Sequence, residues 1–279
     1  MNADDFGMTP GVNRSVVELH RSGALTSATM MARADATEEA VAEARANPRL
    51  GVGCHVVLVD GAAALPGEQI PSLAAASGAF RPTLGRFVRD LLRGRIRDAE
   101  IELEAVTQIR SLQTAGVRVT HIDTHKHTHM FPRVLRPVLR AALQCGVPAI
   151  RNPFEPEWAL KATPGAPALR RTQVRLLRML RREFRKLAAE AGVSTTDGAI
   201  GVLATGTLDA RTVSSLLSAM PEGTWELVCH PGYVDPELKR VRTRLRESRA
   251  VEHDALAQVV PEFLNKRRDV TAIHFGDLR

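Results

Sequence analysis

Four of the chain's nine histidines fall between His121 and His129, inside Thr120-His121-Ile122-Asp123-Thr124-His125-Lys126-His127-Thr128-His129-Met130-Phe131-Pro132. Imidazole is the commonest side-chain metal ligand. A cluster this dense beside Asp123, with the acidic pair Asp4-Asp5 at an equivalent place elsewhere, points to a bound metal ion rather than to solvated histidines. Not all of them can serve one ion. In an extended segment His121 and Asp123 point to one side, and His125, His127 and His129 repeat that alternation if the chain stays extended. Two more imidazoles end apolar strands: His55 in Leu50-Gly51-Val52-Gly53-Cys54-His55-Val56-Val57-Leu58, and His230 in Trp225-Glu226-Leu227-Val228-Cys229-His230-Pro231-Gly232. Pro231-Gly232 stops its strand abruptly and leaves His230 at the tip. A lone histidine on an apolar strand is more often a satisfied core residue than a ligand, and His55 gains weight only from the other candidates. A carboxylate and two imidazoles from separate strands, with coordination positions left open, form a hydrolytic metal centre. Such an ion polarises a carbonyl and acidifies a water; a second carboxylate takes the proton, and a histidine gives one to the leaving group. Ligand softness alone would suit Zn²⁺, Fe²⁺ or Co²⁺.

These residues need elements that bring strand ends together. Strands are expected at Met1–Gly7, Thr26–Ala32, Leu50–Leu58, before the histidine stretch, at Gly146–Pro153 (ending on Arg151), Asp197–Ala204, Trp225–Gly232 and Val270–Asp277. The first is very short, or the natural start lies upstream of Met1. His274, in the last, is expected to be structural. Helices are expected at Gly11–Arg21, Thr37–Ala46 (stopped by Asn47-Pro48), Leu84–Arg93, Asp98–Thr114, from Phe131-Pro132 onward, at Ala210–Met220 and at Arg246–Val260. Gly61–Pro82, rich in Ala, Gly, Pro and Ser, is expected to be a long loop over a site. The alternation implies one α/β domain spanning residues 1–279, a (β/α) barrel or near-barrel with about seven parallel strands. In a barrel all strand ends of one kind converge on one face.

At 279 residues and 44% hydrophobic, the chain can bury a substantial core. No apolar run is long enough to span a bilayer, and the acidic amino terminus does not resemble a signal peptide. Three scattered cysteines, Cys54, Cys145 and Cys229, argue against a disulfide framework and for a cytoplasmic chain. The net charge of +7 is concentrated: between Ala168 and Leu187, eight basic residues stand against Glu183 alone. That segment carries Val174, Leu177, Leu180, Phe184 and Leu187 at helical spacing, so one stripe packs and the rest is solvated. Its functional alternative is peripheral contact with anionic lipid at the inner membrane face. Nucleic acid is a poor fit, because the segment lacks aromatic residues to stack on bases and the chain has one tyrosine.

Taken together, Asn2-Ala3-Asp4-Asp5-Phe6-Gly7, Gly53–Leu58, Thr120–Pro132 and His230-Pro231-Gly232 resemble the YdjC-type carbohydrate deacetylases, nearly end to end through Phe275-Gly276-Asp277-Leu278. The turn Ala204–Asp209, the Arg151-Asn152-Pro153 loop and the basic helix are most similar to the branch associated with hopanoid lipid biosynthesis. The resemblance implies a distorted β/α barrel holding one divalent ion, Mg²⁺ by resemblance where ligand type would allow Zn²⁺. By motif position Asp5, His55 and His125 correspond to the metal ligands, Asp4 to the general base and His230 to the general acid. It further implies removal of acetyl from N-acetylated sugars, an N-acetylglucosaminyl lipid in the hopanoid branch, and a homodimer. Arg151 and His127 are expected to hold sugar hydroxyls or the acetyl group, and Asp123 to orient a ligating histidine or to fix the loop. One departure is the missing apolar strand that family members carry before the acidic pair. Two rival readings stand beside this one. Another amidohydrolase or a phosphoesterase on the same barrel would place His-x-His on the first strand, where this chain has Asp-Asp. A non-enzymatic, membrane-associated metal-binding adaptor would act through the basic helix.

Overall fold

The computed structural model describes residues 1–278. Six parallel strands, β1 (Asn2–Phe6), β2 (Ser27–Met30), β3 (Gly51–Val56), β4 (Val119–Thr124), β5 (Gly198–Ile200) and β6 (Trp225–Cys229), form one sheet in the order β4-β3-β2-β1-β6-β5. The first five are buried along their whole length, as expected for strands covered on both faces. The helices between and after them are α1 (Pro10–Arg21), α2 (Thr37–Ala46), α3 (Leu84–Leu92), α4 (Asp98–Thr114), α5 (Pro132–Gln144), α6 (Glu157–Ala162), α7 (Ala168–Leu177), α8 (Arg181–Glu190), α9 (Ala210–Ser218), α10 (Pro236–Arg240) and α11 (Glu247–Lys266).

The sheet curls until its two edges share one segment. Ile150 bridges Ile122 of β4, and Ala149 bridges Ser194, just ahead of β5, both in parallel. Ile122 N–H donates to Ala149 O, Arg151 N–H to Ile122 O and Ile150 N–H to Ser194 O, at 2.9–3.0 Å. The result is a nearly closed barrel with six assigned strands, where about seven were expected. Gly146–Pro153 contributes only these bridges, because Pro148 and Pro153 have no N–H to extend a ladder. Val270–Asp277 forms no strand. Thr26 Oγ1 donates to Ile273 O, and His274 caps a one-turn helix, Phe275–Asp277, whose Phe275 stacks on His121 at 4.0 Å. With residues 149–151 filling the last gap, the segment has no edge to join and packs at the amino-terminal end of β2 instead.

The long loop after β3 is fastened rather than free. On α4, Ile101, Ala105, Ile109 and Leu112 face the core, and Glu100, Glu104 and Gln108 are buried beside them. Glu104 accepts from Ala64 N–H and Leu65 N–H, Glu100 from Ser72 N–H and Leu73 N–H, and Gln108 spans both backbone groups of Val57. Buried loop backbone is satisfied this way where no strand can do it. The loop region meets the site through Asp60, which Lys126 Nζ contacts at 2.5 Å. The basic segment is α7, a 3₁₀ turn (Arg178–Leu180) and α8; Phe184 and Leu187 are buried, whereas nothing in Ala168–Leu180 is. The three cysteines are buried and unpaired. Among the described residues no helix is long and apolar enough to cross a membrane.

Candidate active site

Adjacent residues of a regular strand face opposite sides, so Asp4 and Asp5 should not share a site. They do, because the pairing of β1 with β2 shifts register between Ala3 and Phe6 and Asp5 adopts φ 68°. A non-glycine residue at positive φ is uncommon, and such strain collects at functional sites. Both carboxylates consequently turn into the barrel mouth.

His55 is the penultimate residue of β3, and His125 follows β4. His55 Nε2 lies 3.2 Å from His125 Nδ1, and Asp5 Oδ1 lies 3.6 Å from each of those nitrogens. His55 Nδ1 donates to Asp123 Oδ1 at 2.8 Å. A carboxylate on one ring nitrogen fixes the tautomer and leaves the other nitrogen's lone pair for a cation. Burial drives His55 towards the neutral form, but Asp123, with Asp4 and Asp5 behind it, outweighs burial and raises its pKa to about 9; the same carboxylates would favour a metal cation in place of that second proton. Burial keeps His125 neutral, with a pKa lowered to about 4.

Two groups among the described residues place ligand atoms within 4.8 Å of one another: Asp5, His55 and His125, and Asp4, His55 and Asp123. They are not equivalent. The second is already filled by a guanidinium. Arg151 Nη2 and Nη1 contact the two oxygens of Asp4 at 2.6 and 2.9 Å, Nη1 also donates to Asp123 Oδ2, and Nε donates to Glu226 Oε1 at 2.8 Å. In the first group Asp5 Oδ2 accepts from Arg249 Nη2 at 2.5 Å, but Asp5 Oδ1 is buried with no hydrogen-bond partner among the described residues. A buried unsatisfied carboxylate oxygen facing two imidazole nitrogens fits a cation, since leaving it bare is costly.

Burial would push the Asp4 carboxyl up; Arg151 outweighs it, with His55 and His230 adding to the effect, and holds it well below the usual carboxylate range. Asn2 Nδ2 and Thr29 Oγ1 also donate to Asp4 Oδ1, at 3.2 and 3.3 Å. His230, just past β6, sets Nε2 3.7 Å from Asp4 Oδ2. Its backbone is gripped by α11: His230 N–H donates to Glu252 Oε2 at 2.6 Å, and Arg249 Nη1 donates to His230 O at 3.5 Å.

The histidine stretch is not extended past Thr124. It winds into a 3₁₀ turn (His125–Met130) in which Lys126 and His127 take φ 58° and 52°. Of the four histidines, His125 alone joins the Asp5 cluster. His121 is wedged between Asn2 Oδ1, Thr120 Oγ1 and Phe275, and His129 bonds Thr124 Oγ1 and Arg151 O. His127 is half-buried, with Nδ1 unpartnered. Arg151 corrects the expectation of a hand on the sugar: it is fully buried, and all three of its nitrogens are committed to carboxylates from three strands. Sequence reasoning missed Glu226, Arg249 and Glu252. Only Glu226 left a trace, as a lone carboxylate inside the apolar run Trp225–Cys229.

A family profile described as YdjC-like protein matches residues 1–265. A carbohydrate deacetylase of Brevibacillus brevis is 41% identical over 154 residues, 55% of this chain and 58% of that protein. A carbohydrate deacetylase of Thermoanaerobacter pseudethanolicus is 29% identical over 241 residues, 86% of this chain and 83% of that protein. The solved structure of an Enterococcus faecalis V583 protein, described as a candidate cellobiose-phosphate cleavage protein, superposes with a TM-score of 0.75 at 26% identity, covering 98% of this chain and 95% of that one.

Proposed function

The chain belongs to the YdjC-like protein family, and from that premise we propose that it hydrolyses the acetamide of an N-acetylated sugar, releasing acetate and a free sugar amine. The observation that carries the reading is the unpartnered Asp5 Oδ1 facing His55 Nε2 and His125 Nδ1. Asp5, His55 and His125 would hold a divalent ion. The chemistry such an ion supplies is Lewis acidity towards a carbonyl oxygen and a more acidic water. Asp4, kept ionised by Arg151, takes a proton from the attacking water as its oxygen bonds to the acetyl carbon. His230 delivers a proton to the nitrogen as the carbon–nitrogen bond breaks. Arg151 serves as a positioning residue for Asp4, and half-buried His127, whose buried Nδ1 has no partner among the described residues, is the candidate for contact with the sugar.

Two finer points belong to the same reading. A donor set of two imidazoles and one carboxylate favours a borderline metal such as Zn²⁺, whereas the resemblance points to Mg²⁺. Metal analysis of protein purified without chelator separates them. The narrower substrate, an N-acetylglucosaminyl lipid of the hopanoid type, is supported by the Ala204–Asp209 turn, the Arg151-Asn152-Pro153 loop and the basic segment. Acetate release from diacetylchitobiose and from an N-acetylglucosaminyl lipid, with and without chelator, tests the reaction. Chelation should abolish release, and Asp4→Asn should lower turnover by about 10²–10⁴-fold with metal content unchanged. Fully metal-loaded protein that frees no acetate from either substrate would overturn the proposal.

A further inference from the structure

Helix α7 wears its polar and apolar faces the wrong way round for a helix resting on a soluble protein. Two of its three guanidiniums point inward: Arg170 donates to Val202 O and Thr205 O at 3.2 and 3.0 Å, and Arg171 donates to Leu160 O and to Thr163 O, while Arg175 is exposed. The outward side of α7 and of the 3₁₀ turn that continues it carries Leu169, Leu176 and Met179, which are 73%, 65% and 76% exposed. The spacing of two turns and then three residues sets them along one face. This stripe differs from Val174, Leu177 and Leu180, which are half-buried against the body.

Charge decides what would cover it. Residues 168–182 contain six arginines and no acid. Arg175 and Arg178 share the single carboxylate of Glu157, and Arg182 is exposed with no ion pair among the described residues. A second copy docked face to face would set this cationic surface against itself. An aliphatic stripe flanked by guanidiniums matches an anionic bilayer, into which such helices sink their apolar face while the cations meet headgroups.

The segment is also tied to the site. The turn that Arg170 grips follows β5 at the sheet's carboxyl end, where Asp4 and Asp5 lie. Phe184 of α8 packs 6.1 Å, ring to ring, from His129, whose Nε2 bonds Arg151 O. We infer that Leu169, Leu176 and Met179 seat α7 in an anionic lipid surface and so bring the barrel mouth to a lipid-borne sugar. The lipid-borne substrate rests on the proposed function; the docking does not.

The test is co-sedimentation of the full chain with vesicles of phosphatidylcholine alone or mixed with phosphatidylglycerol. Wild-type protein should bind the anionic vesicles and not the neutral ones. Combined Leu169→Gln, Leu176→Gln and Met179→Gln should weaken that binding at least about tenfold, with circular dichroism and acetate release from soluble diacetylchitobiose unchanged. Met179→Trp should give a blue-shifted emission when anionic vesicles are added. Absence of wild-type binding at low salt, equal binding by the triple variant, or an unshifted Met179→Trp emission overturns the inference. So does a wild-type dimer in light scattering that the triple variant loses, because the stripe would then be a self-interface. Vesicle binding without acetate release sinks the deacetylase reading alone; release without vesicle binding sinks the docking alone.

Discussion

Arg151 and Arg249 are fully buried, and each meets carboxylates that β1 carries into the barrel mouth. Arg170, Arg171, Arg175 and Arg178 sit at the surface and hold backbone carbonyls or the one carboxylate of Glu157. The same side chain does different work because its surroundings differ. In the mouth, solvent cannot screen Asp4, Asp123 and Glu226 from one another, so the guanidinium among them keeps the cluster together. Along the basic segment water screens the Arg175–Glu157 contact and Arg182 has no ion pair among the described residues, so charge stays available to something outside the chain.

The largest effect should come from removing the buried cation. Arg151→Met leaves three carboxylates facing each other and should cost about 3–5 kcal/mol in urea unfolding. A loss below about 1 kcal/mol, the range of a surface pair, would erase the contrast.

Glu155 sharpens it, being a buried carboxyl with no guanidinium in hydrogen-bond contact among the described residues. It accepts from Gly201 N–H and Leu203 N–H at 2.8 and 2.6 Å, and burial still pushes it up to about 7 from 4.5. A raised folded-state pKa means that its contribution to stability is complete below about 4.5 and lost as pH rises through about 7. Between those limits the unfolding free energy should fall by up to about 1.4 kcal/mol per pH unit through this group. Glu155→Gln should remove that slope, and parallel wild-type and variant curves would refute it. The smallest effect is expected at the surface: Arg175→Ala, which breaks an exposed contact with Glu157, should leave the urea midpoint almost unchanged, and still less changed at high salt.

Much of the site was legible because its chemistry interrupts apolar runs. His55 and His230 stand out as polar tips of buried strands, and the alternation of strands and helices fixed a common mouth for them. The rest depended on backbone departures that periodicity cannot show. Strand alternation argues against Asp4 and Asp5 sharing a side, and only the register shift and the positive φ of Asp5 allow it. The same kind of turn at Lys126 and His127 decides which histidine reaches Asp5. Arg151 looked like an open-mouth donor because the three carboxylates that draw it inward come from β1, β4 and β6, far apart in the chain. Arg249 lies on a polar helix whose spacing singles out nothing. The alternation in Val270–Asp277 suggested a strand, but pairing needs a free edge, and the 149–151 segment had taken it.

The bond between Arg249 and Asp5 joins residues 244 positions apart. During synthesis Asp5 leaves the ribosome long before Arg249, which emerges only when nearly all of the barrel has been made. Until then Arg151 can hold Asp4, but Asp5 lies beside that carboxylate without its own guanidinium, and contacts of such long sequence separation form slowly. The proposed metal site should therefore take shape late and all at once, rather than strand by strand.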